Sequence, residues 1–169
     1  MTINNKNKIL FLWGFMGSGK TQTGRALANS LGFTFVDLDS FIEVQEGSSI
    51  SRLYSKHGEN DFRKLESECL LKVSKFKNSV VSTGGGTPIP EGNRLIMSES
   101  GNSIFLNVSF NILWERIEKS VETRPLVSRG RAELERLFNE RLPGYFMADI
   151  IIEANHPVED VIKKIKKTI

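Results

Sequence analysis

The sequence predicts an α/β domain of three layers, doubly wound, with helices on both faces of a five-stranded parallel sheet. Three observations predict it. Strand-like and helix-like patterns alternate from one end of the 169 residues to the other. Several strand segments are uninterrupted apolar runs, the mark of strands covered on both faces. The first of these runs passes through a glycine-rich turn directly into a helical pattern.

The first strand is 9–13, the consecutive apolar residues Ile-Leu-Phe-Leu-Trp. A helix follows over 20–31, and Gly32 supplies its stop, because glycine takes the left-handed conformation at low cost. A second strand occupies 33–37. Short helices at 40–46 and 51–57 precede a longer one at 61–76, where Phe62 and Leu65 have core spacing. The third strand, 79–82, leads into three successive glycines. A helix at 92–98, the fourth strand at 103–107 and a helix at 110–119 come next. Residues 120–130 are polar and interrupt the pattern, as a mobile lid would. A helix at 131–141, the fifth strand at 149–153 and a last helix at 158–168, entered after Pro157, complete the chain. No repeat or low-complexity linker divides it, so a single domain over 1–169 is expected.

Ligands of such sheets bind at the carboxyl ends of the strands, so residues that follow each strand should converge. After the first strand, Gly14-Phe15-Met16-Gly17-Ser18-Gly19-Lys20-Thr21 fits G-x-x-x-x-G-K-[ST] in the strand–loop–helix setting that pattern requires. Its glycines let backbone N–H groups turn inward around a phosphate chain, and the helix points its positive end to the same place. Lys20 would reach the β- and γ-phosphates, and the Thr21 hydroxyl would hold Mg²⁺. The expected nucleotide contacts are therefore Gly17, Ser18, Gly19, Lys20, Thr21 and the adjoining Gln22.

After the second strand, Asp37 and Asp39 stand two residues apart, which in an extended segment points both carboxylates to one side. One would contact the Mg²⁺ shell through water, the other a substrate hydroxyl. Alone, the pair is as well explained by Asp39 capping the next helix; the phosphate loop next door favours function. Gly84, Gly85 and Gly86 are costly in backbone entropy and suit a wall that a ligand approaches closely. Arg63, near a helix start, is unfavourable for the dipole unless an anion is close, whereas Arg141 ends a helix, where a cation is favoured anyway. Arg124 is held extended by Pro125, and an arginine brought in by lid closure stabilises a transferring phosphoryl group.

Composition sets the outer bounds. The chain is 39% hydrophobic and 25% charged with a net charge of +3, which suits a soluble domain with an anionic ligand. Lys163, Lys164, Lys166 and Lys167 make one helix end basic, which complements its dipole; nucleic acid is not expected as a partner. Cys69 is the single cysteine, so no disulfide forms within the chain and a reducing compartment is expected; its apolar neighbours make it a core residue. His57 and His156 lack ligand-spaced partners. No apolar run reaches membrane-spanning length and the first residues lack a signal-peptide pattern, so a cytoplasmic protein is expected. No exposed apolar stripe stands out, so a monomer is expected.

Taken in order, the motifs closely resemble the shikimate kinase family over almost the whole chain, from the first strand to Glu153. The resemblance rests on Gly14-x-x-Gly17-x-Gly19-Lys20-Thr21, Asp37-x-Asp39, Gly58-x-x-x-Phe62-Arg63, Gly84-Gly85-Gly86, Arg124-Pro125-Leu126 and Arg141-x-Pro143-x-Tyr145. It implies a P-loop kinase with a mobile lid at about 116–130 that transfers a phosphoryl group from ATP, with Mg²⁺, to the 3-hydroxyl of shikimate. The products would be shikimate 3-phosphate and ADP, in the biosynthesis of chorismate and aromatic amino acids. The resemblance further implies that Asp39 binds a ring hydroxyl and orients or deprotonates the attacking 3-hydroxyl. Arg63 and Arg141 would grip the substrate carboxylate, a task suited to planar guanidinium donors. Backbone at Gly84, Gly85 and Gly86 would contact the substrate, and Tyr54 and Phe62 would line its pocket. Lys20 and Arg124 would neutralise the transferring group, Arg116 would lie against the adenine, and Asp37 would act through the Mg²⁺ hydration shell. Gln22 departs from the small hydroxyl residue common in the family at that place.

Two other readings share part of these features. A gluconate kinase, or another small-molecule kinase of this fold, also needs a carboxylate grip and a hydroxyl site, although the Gly58-to-Arg63 and triple-glycine segments argue against it. A noncatalytic nucleotide-binding protein would need only the loop, and the retained Lys20, Asp39, Arg63, Arg124 and Arg141 argue against that.

Overall fold

The computed structural model describes residues 8–120 and 130–169. Five parallel strands, β1 (Ile9–Trp13), β2 (Thr34–Asp37), β3 (Ser79–Ser82), β4 (Asn102–Asn107) and β5 (Ile150–Glu153), form one sheet in the order β2-β3-β1-β4-β5. The chain runs from β1 to the far edge at β2, returns to β3 beside β1, then crosses to β4 and β5. Helices α1 (Lys20–Leu31), α2 (Leu38–Glu46), α3 (Ile50–Val73), α4 (Glu91–Ser100), α5 (Phe110–Lys119), α6 (Arg131–Tyr145) and α7 (Val158–Thr168) make the connections and the last layer.

The apolar runs of β1 and β3 become central strands because their alternate residues enter two different cores. Leu10, Leu12, Val80, Ile104 and Leu106 pack on one face with Leu27 of α1, Leu113 of α5, Leu134 of α6 and Ile165 of α7. Ile9, Phe11, Trp13 and Val81 pack on the other with Leu38 and Ile42 of α2, Leu70 and Val73 of α3 and Met97 of α4. Cys69 lies in this second core, as expected of a small apolar residue. The parallel register, from Ile9↔Ser79 to Leu12↔Ser82 and from Leu10↔Asn102 to Trp13↔Phe105, brings the carboxyl ends of the strands to one edge of the sheet.

Element boundaries differ from the sequence expectation where caps or local breaks intervene. Helix α2 starts at Leu38 rather than 40, because the Asp37 carboxylate caps it: Ser40 N donates to Asp37 Oδ1 at 3.2 Å. The helices expected at 51–57 and 61–76 are the two limbs of α3, which meet at Gly58, where φ 74° and ψ 175° break the helical path. Helix α6 runs past 141 to Tyr145, through Pro143. Proline normally ends a helix. Here the last turn is held by Tyr145, whose buried ring stacks on Phe105 with centroids 5.2 Å apart and whose hydroxyl donates to Gly85 O at 2.6 Å. Of the lid expected at 116–130, Arg116 to Lys119 form the end of α5, while 121–129, Arg124 included, lie outside the described residues.

Candidate active site

The sheet's carboxyl edge opens into a cleft of about 1380 Å³. Gly17, Ser18, Gly19, Lys20, Thr21, Gln22, Asp37, Asp39, Tyr54, Phe62, Arg63, Gly84, Gly85, Gly86, Arg116 and Arg141 all line it. Residues drawn from five helices, one strand end and two loops therefore meet in one place, as the strand-end argument requires.

At one end is the glycine-rich loop between β1 and α1. Gly17 and Gly19 have φ of 79° and 86°, values that side-chain-bearing residues rarely adopt, and Gly19 caps α1. The Lys20 ammonium donates to Gly14 O at 2.8 Å and Phe15 O at 3.0 Å, so it bridges the loop. Arg116 Nη1, from the end of α5, donates to Gly17 O at 3.1 Å. The Ser18 hydroxyl is buried and, among the described residues, has no hydrogen-bond partner. A buried polar group left in that condition costs about 1–3 kcal/mol, which a phosphate oxygen in the cleft would offset. The loop thus fits a nucleotide phosphate chain.

Beside it the Thr21 hydroxyl donates to Asp37 Oδ2 at 2.8 Å. A hydroxyl and a carboxylate are the hard oxygen donors that Mg²⁺ takes. Among the described residues no group of three or more His, Cys, Asp or Glu side chains is placed to hold a metal.

At the other end of the cleft Asp39, Arg63 and Arg141 face the triple-glycine loop. The two aspartates do not share an extended segment: Asp37 ends β2 and Asp39 sits in the first turn of α2. Both reach the cleft because the helix begins between them. A Cβ on Gly84 would lie 3.0 Å from Asp39 Oδ1 and 2.9 Å from Glu66 Oε1. On Gly86 it would lie 2.6 Å from Arg63 Cζ, and on Gly85 3.5 Å from Arg141 Nη1. At Gly84 and Gly86 the absence of a side chain makes room for the Asp39 and Glu66 carboxylates and the Arg63 guanidinium, while Arg141 meets Gly85 at ordinary contact distance. Tyr54 and Phe62 pack together beside them with ring centroids 5.3 Å apart, and Arg63 Cζ lies 5.5 Å from the Phe62 ring centre.

Sequence reasoning missed Glu66. It is 1% exposed, one turn beyond Arg63, and its Oε2 accepts from Arg63 Nη1 at 2.8 Å. This is the anion that holds Arg63, which lies five residues past the Gly58 break rather than in the first turn that a helix starting at 61 would give it. Burial works against the Arg63 charge and the Glu66 carboxylate works for it, leaving the guanidinium above its ordinary pKa. The i, i+3 spacing of Arg63 and Glu66 was the available signal. Tyr145 is visible in the sequence only as part of a motif. Burial pushes its hydroxyl up to about 12 despite the Arg141 guanidinium beside it, so it stays a donor to Gly85.

A phosphate-gripping loop on a doubly wound parallel sheet, facing a pocket with a carboxylate and two guanidinium groups, defines a small-molecule kinase of the P-loop class. The family model for shikimate kinase matches residues 16–169, and the chain belongs to that family. The shikimate kinase of Aquifex aeolicus is 40% identical over 156 residues, covering 92% of this chain and 92% of that one. The crystal structure of shikimate kinase from Bacteroides thetaiotaomicron superposes with a TM-score of 0.91 at 32% identity, over 95% of this chain and 97% of that one. Shikimate kinase from Acinetobacter baumannii, solved in complex with shikimate, gives a TM-score of 0.86 at 29% identity, over 97% of this chain and 93% of that one. The chain is accordingly an ATP-using kinase. No helix among the described residues is long and apolar enough to cross a membrane.

Proposed function

We propose that this chain transfers the γ-phosphoryl group of ATP to the 3-hydroxyl of shikimate, with the residues of the cleft in the following roles. One observation carries the reading: Arg63 and Arg141 approach adjacent glycines of one loop, with Asp39 at the loop's other end and the phosphate loop in the same cleft. Two planar donors side by side suit a carboxylate, and a carboxylate opposite them suits a hydroxyl of the same small ring.

Asp39 accepts the proton of the 3-hydroxyl as its oxygen attacks the γ-phosphorus. The bond to the β-phosphate bridging oxygen breaks, and ADP leaves. Lys20 exchanges the loop carbonyls for phosphate oxygens and, with Arg124, spreads the charge of the transferring group. Thr21 would hold Mg²⁺, and Asp37 would act through its hydration shell. The ion, when bound, shields the β- and γ-phosphate charges. Gly17, Ser18, Gly19 and Gln22 contact the nucleotide and Arg116 its base, while Tyr54, Phe62 and the backbone of Gly84 to Gly86 shape the acceptor pocket. We further propose a cytoplasmic monomer of one domain. A single sheet joins all five strands, each chain carries the whole described cleft, and Cys69 is a free buried thiol.

ADP release measured from ATP and Mg²⁺ with shikimate, with gluconate and with no acceptor tests the reading. Release with shikimate alone is expected, and removal of Mg²⁺ by chelation abolishes it. Release with gluconate alone would overturn the acceptor assignment while leaving the phosphate chemistry, and ATP binding with no turnover on either would favour a noncatalytic role.

A further inference from the structure

Thr87 has no part in the reaction just described, yet it is fully buried, one residue past the glycine run, and hydrogen-bonded on three sides. Its N–H donates to Gly84 O at 3.2 Å, which closes the glycine turn. Its carbonyl accepts from Asn93 Nδ2 at 2.9 Å, which ties the turn to α4. Its hydroxyl donates to Glu66 Oε1 at 2.6 Å, short for a neutral pair and in the range of a charge-assisted bond to a carboxylate. The other oxygen of that carboxylate holds Arg63 at 2.8 Å.

We propose that Thr87 is a positioning residue for acceptor binding: its hydroxyl fixes the Glu66 carboxylate, and Glu66 in turn fixes the Arg63 guanidinium against the glycine loop. Glu66 is 1% exposed, so water does not stand ready to replace a missing donor on Oε1. A carboxylate held at one oxygen only can rotate, and Arg63 turns with it. Arg63 packs directly on Gly86, where a Cβ would lie 2.6 Å from its Cζ, so a guanidinium that turns leaves the glycine loop. The same contact sets the far side of the pocket. Glu66 Oε1, Asp39 Oδ1 and the Thr87 hydroxyl all crowd the one point where a Cβ on Gly84 would stand, at 2.9, 3.0 and 3.0 Å, so a Glu66 carboxylate that turns disturbs the space beside Asp39. The hydrogen bonds of Thr87 run to the glycine turn, α3 and α4 rather than to the phosphate loop, so the nucleotide side should not register its loss.

The inference rests on the proposed acceptor chemistry, and the experiment separates the two. Wild type, Thr87→Val and Thr87→Ser are compared for kcat, for the KM of shikimate and of ATP, and for thermal unfolding. Valine keeps the shape and removes the donor, whereas serine restores it. Thr87→Val is expected to raise the shikimate KM about tenfold, the loss of one hydrogen bond to a charged group, with kcat and the ATP KM within about twofold of wild type. Thr87→Ser is expected to return the shikimate KM to within about threefold of wild type. An unchanged shikimate KM in Thr87→Val overturns the inference. So does an equal rise in both KM values, or a serine variant as impaired as the valine one, since each would mark a packing role. If Thr87→Val does not fold, Thr87→Ala, which also removes the donor, decides by the same readouts, and Glu66→Gln tests the second link. Glu66→Gln keeps a group that can accept from Thr87 but removes the charge that holds Arg63, and it must raise the shikimate KM alone. Wild type that fails to phosphorylate shikimate would instead remove the acceptor reading itself.

Discussion

Asp39 is exposed in the first turn of α2 and lines the cleft, where its carboxylate can meet a bound hydroxyl and take its proton. Asp39→Asn removes the acceptor and keeps the shape, so turnover with shikimate should fall by roughly 10²–10⁴-fold while ATP affinity is retained. Steady-state kinetics with a nucleotide titration measure both, and near-normal turnover in the folded variant would take proton transfer away from Asp39. Gly86 gives a second test. Its backbone is not in the left-handed region, so alanine there is strained by contact alone, with Cβ 2.6 Å from Arg63 Cζ. Gly86→Ala should displace Arg63 and raise the shikimate KM by roughly 10–100-fold with the ATP KM unchanged. A shikimate KM equal to wild type would mean that Arg63 does not set acceptor affinity from that position. At this scale the sequence was legible where a residue's cost had no local excuse. Three glycines in a row asked for close neighbours, and at Gly84 and Gly86 the structure supplies them. It was illegible where the neighbour came from folding: nothing in Thr87 announces that it will lie against Glu66.

Helix α1 shows what the element scale adds. It carries Lys20 and Thr21 at its first turn, and it packs so close to the sheet that a Cβ on Gly24 would meet Phe35 Cε2 at 2.7 Å and Leu12 Cδ1 at 3.1 Å. By propensity alone Gly24→Ala should stabilise a helix by about 1 kcal/mol. The contact reverses the sign, because the helix must lift from β1 and β2 to admit the methyl group, and overpacking typically costs about 1–3 kcal/mol. Gly24→Ala should therefore lower the urea midpoint and weaken ATP binding together, since the lifted helix carries the phosphate contacts. A variant more stable than wild type would show that the Phe35 ring yields instead. The existence and type of the elements were legible because the central strands are short uninterrupted apolar runs while the helices repeat near 3.6. The boundaries were lost where one side chain decides them: Asp37 capping α2, Gly58 joining the limbs of α3, and Tyr145 holding α6 past Pro143. Of these, the Asp37 cap mattered most, because it put Asp37 and Asp39 on different elements and still in one cleft.

The order β2-β3-β1-β4-β5 is a whole-molecule property, because it depends on which distant strands pair, and no local pattern states it. The parallel, doubly wound class was legible, and with it the edge at which function gathers. Tyr145 joins the levels of the molecule: it ends α6, stacks on β4 and donates to the loop after β3, so exposing it requires layers to part. Its hydroxyl is raised from 10.0 to about 12 by burial. The folded protein therefore holds this proton more tightly than the unfolded chain. The associated stability is complete below pH 10.0 and is lost as pH rises toward about 12. A rise of that size corresponds to at most about 2.7 kcal/mol. Tyr145→Phe gives up the bond to Gly85 and should be less stable than wild type by about 1 kcal/mol near neutrality. It has no phenol to ionise, so the gap between the two proteins should narrow as pH rises through that window, while lysine titration affects both alike. Urea unfolding of the pair at stepped pH reads the gap directly. A constant gap would mean that the phenol ionises in the folded state as readily as in the unfolded one, and that the contact between α6 and the glycine loop opens without unfolding the sheet.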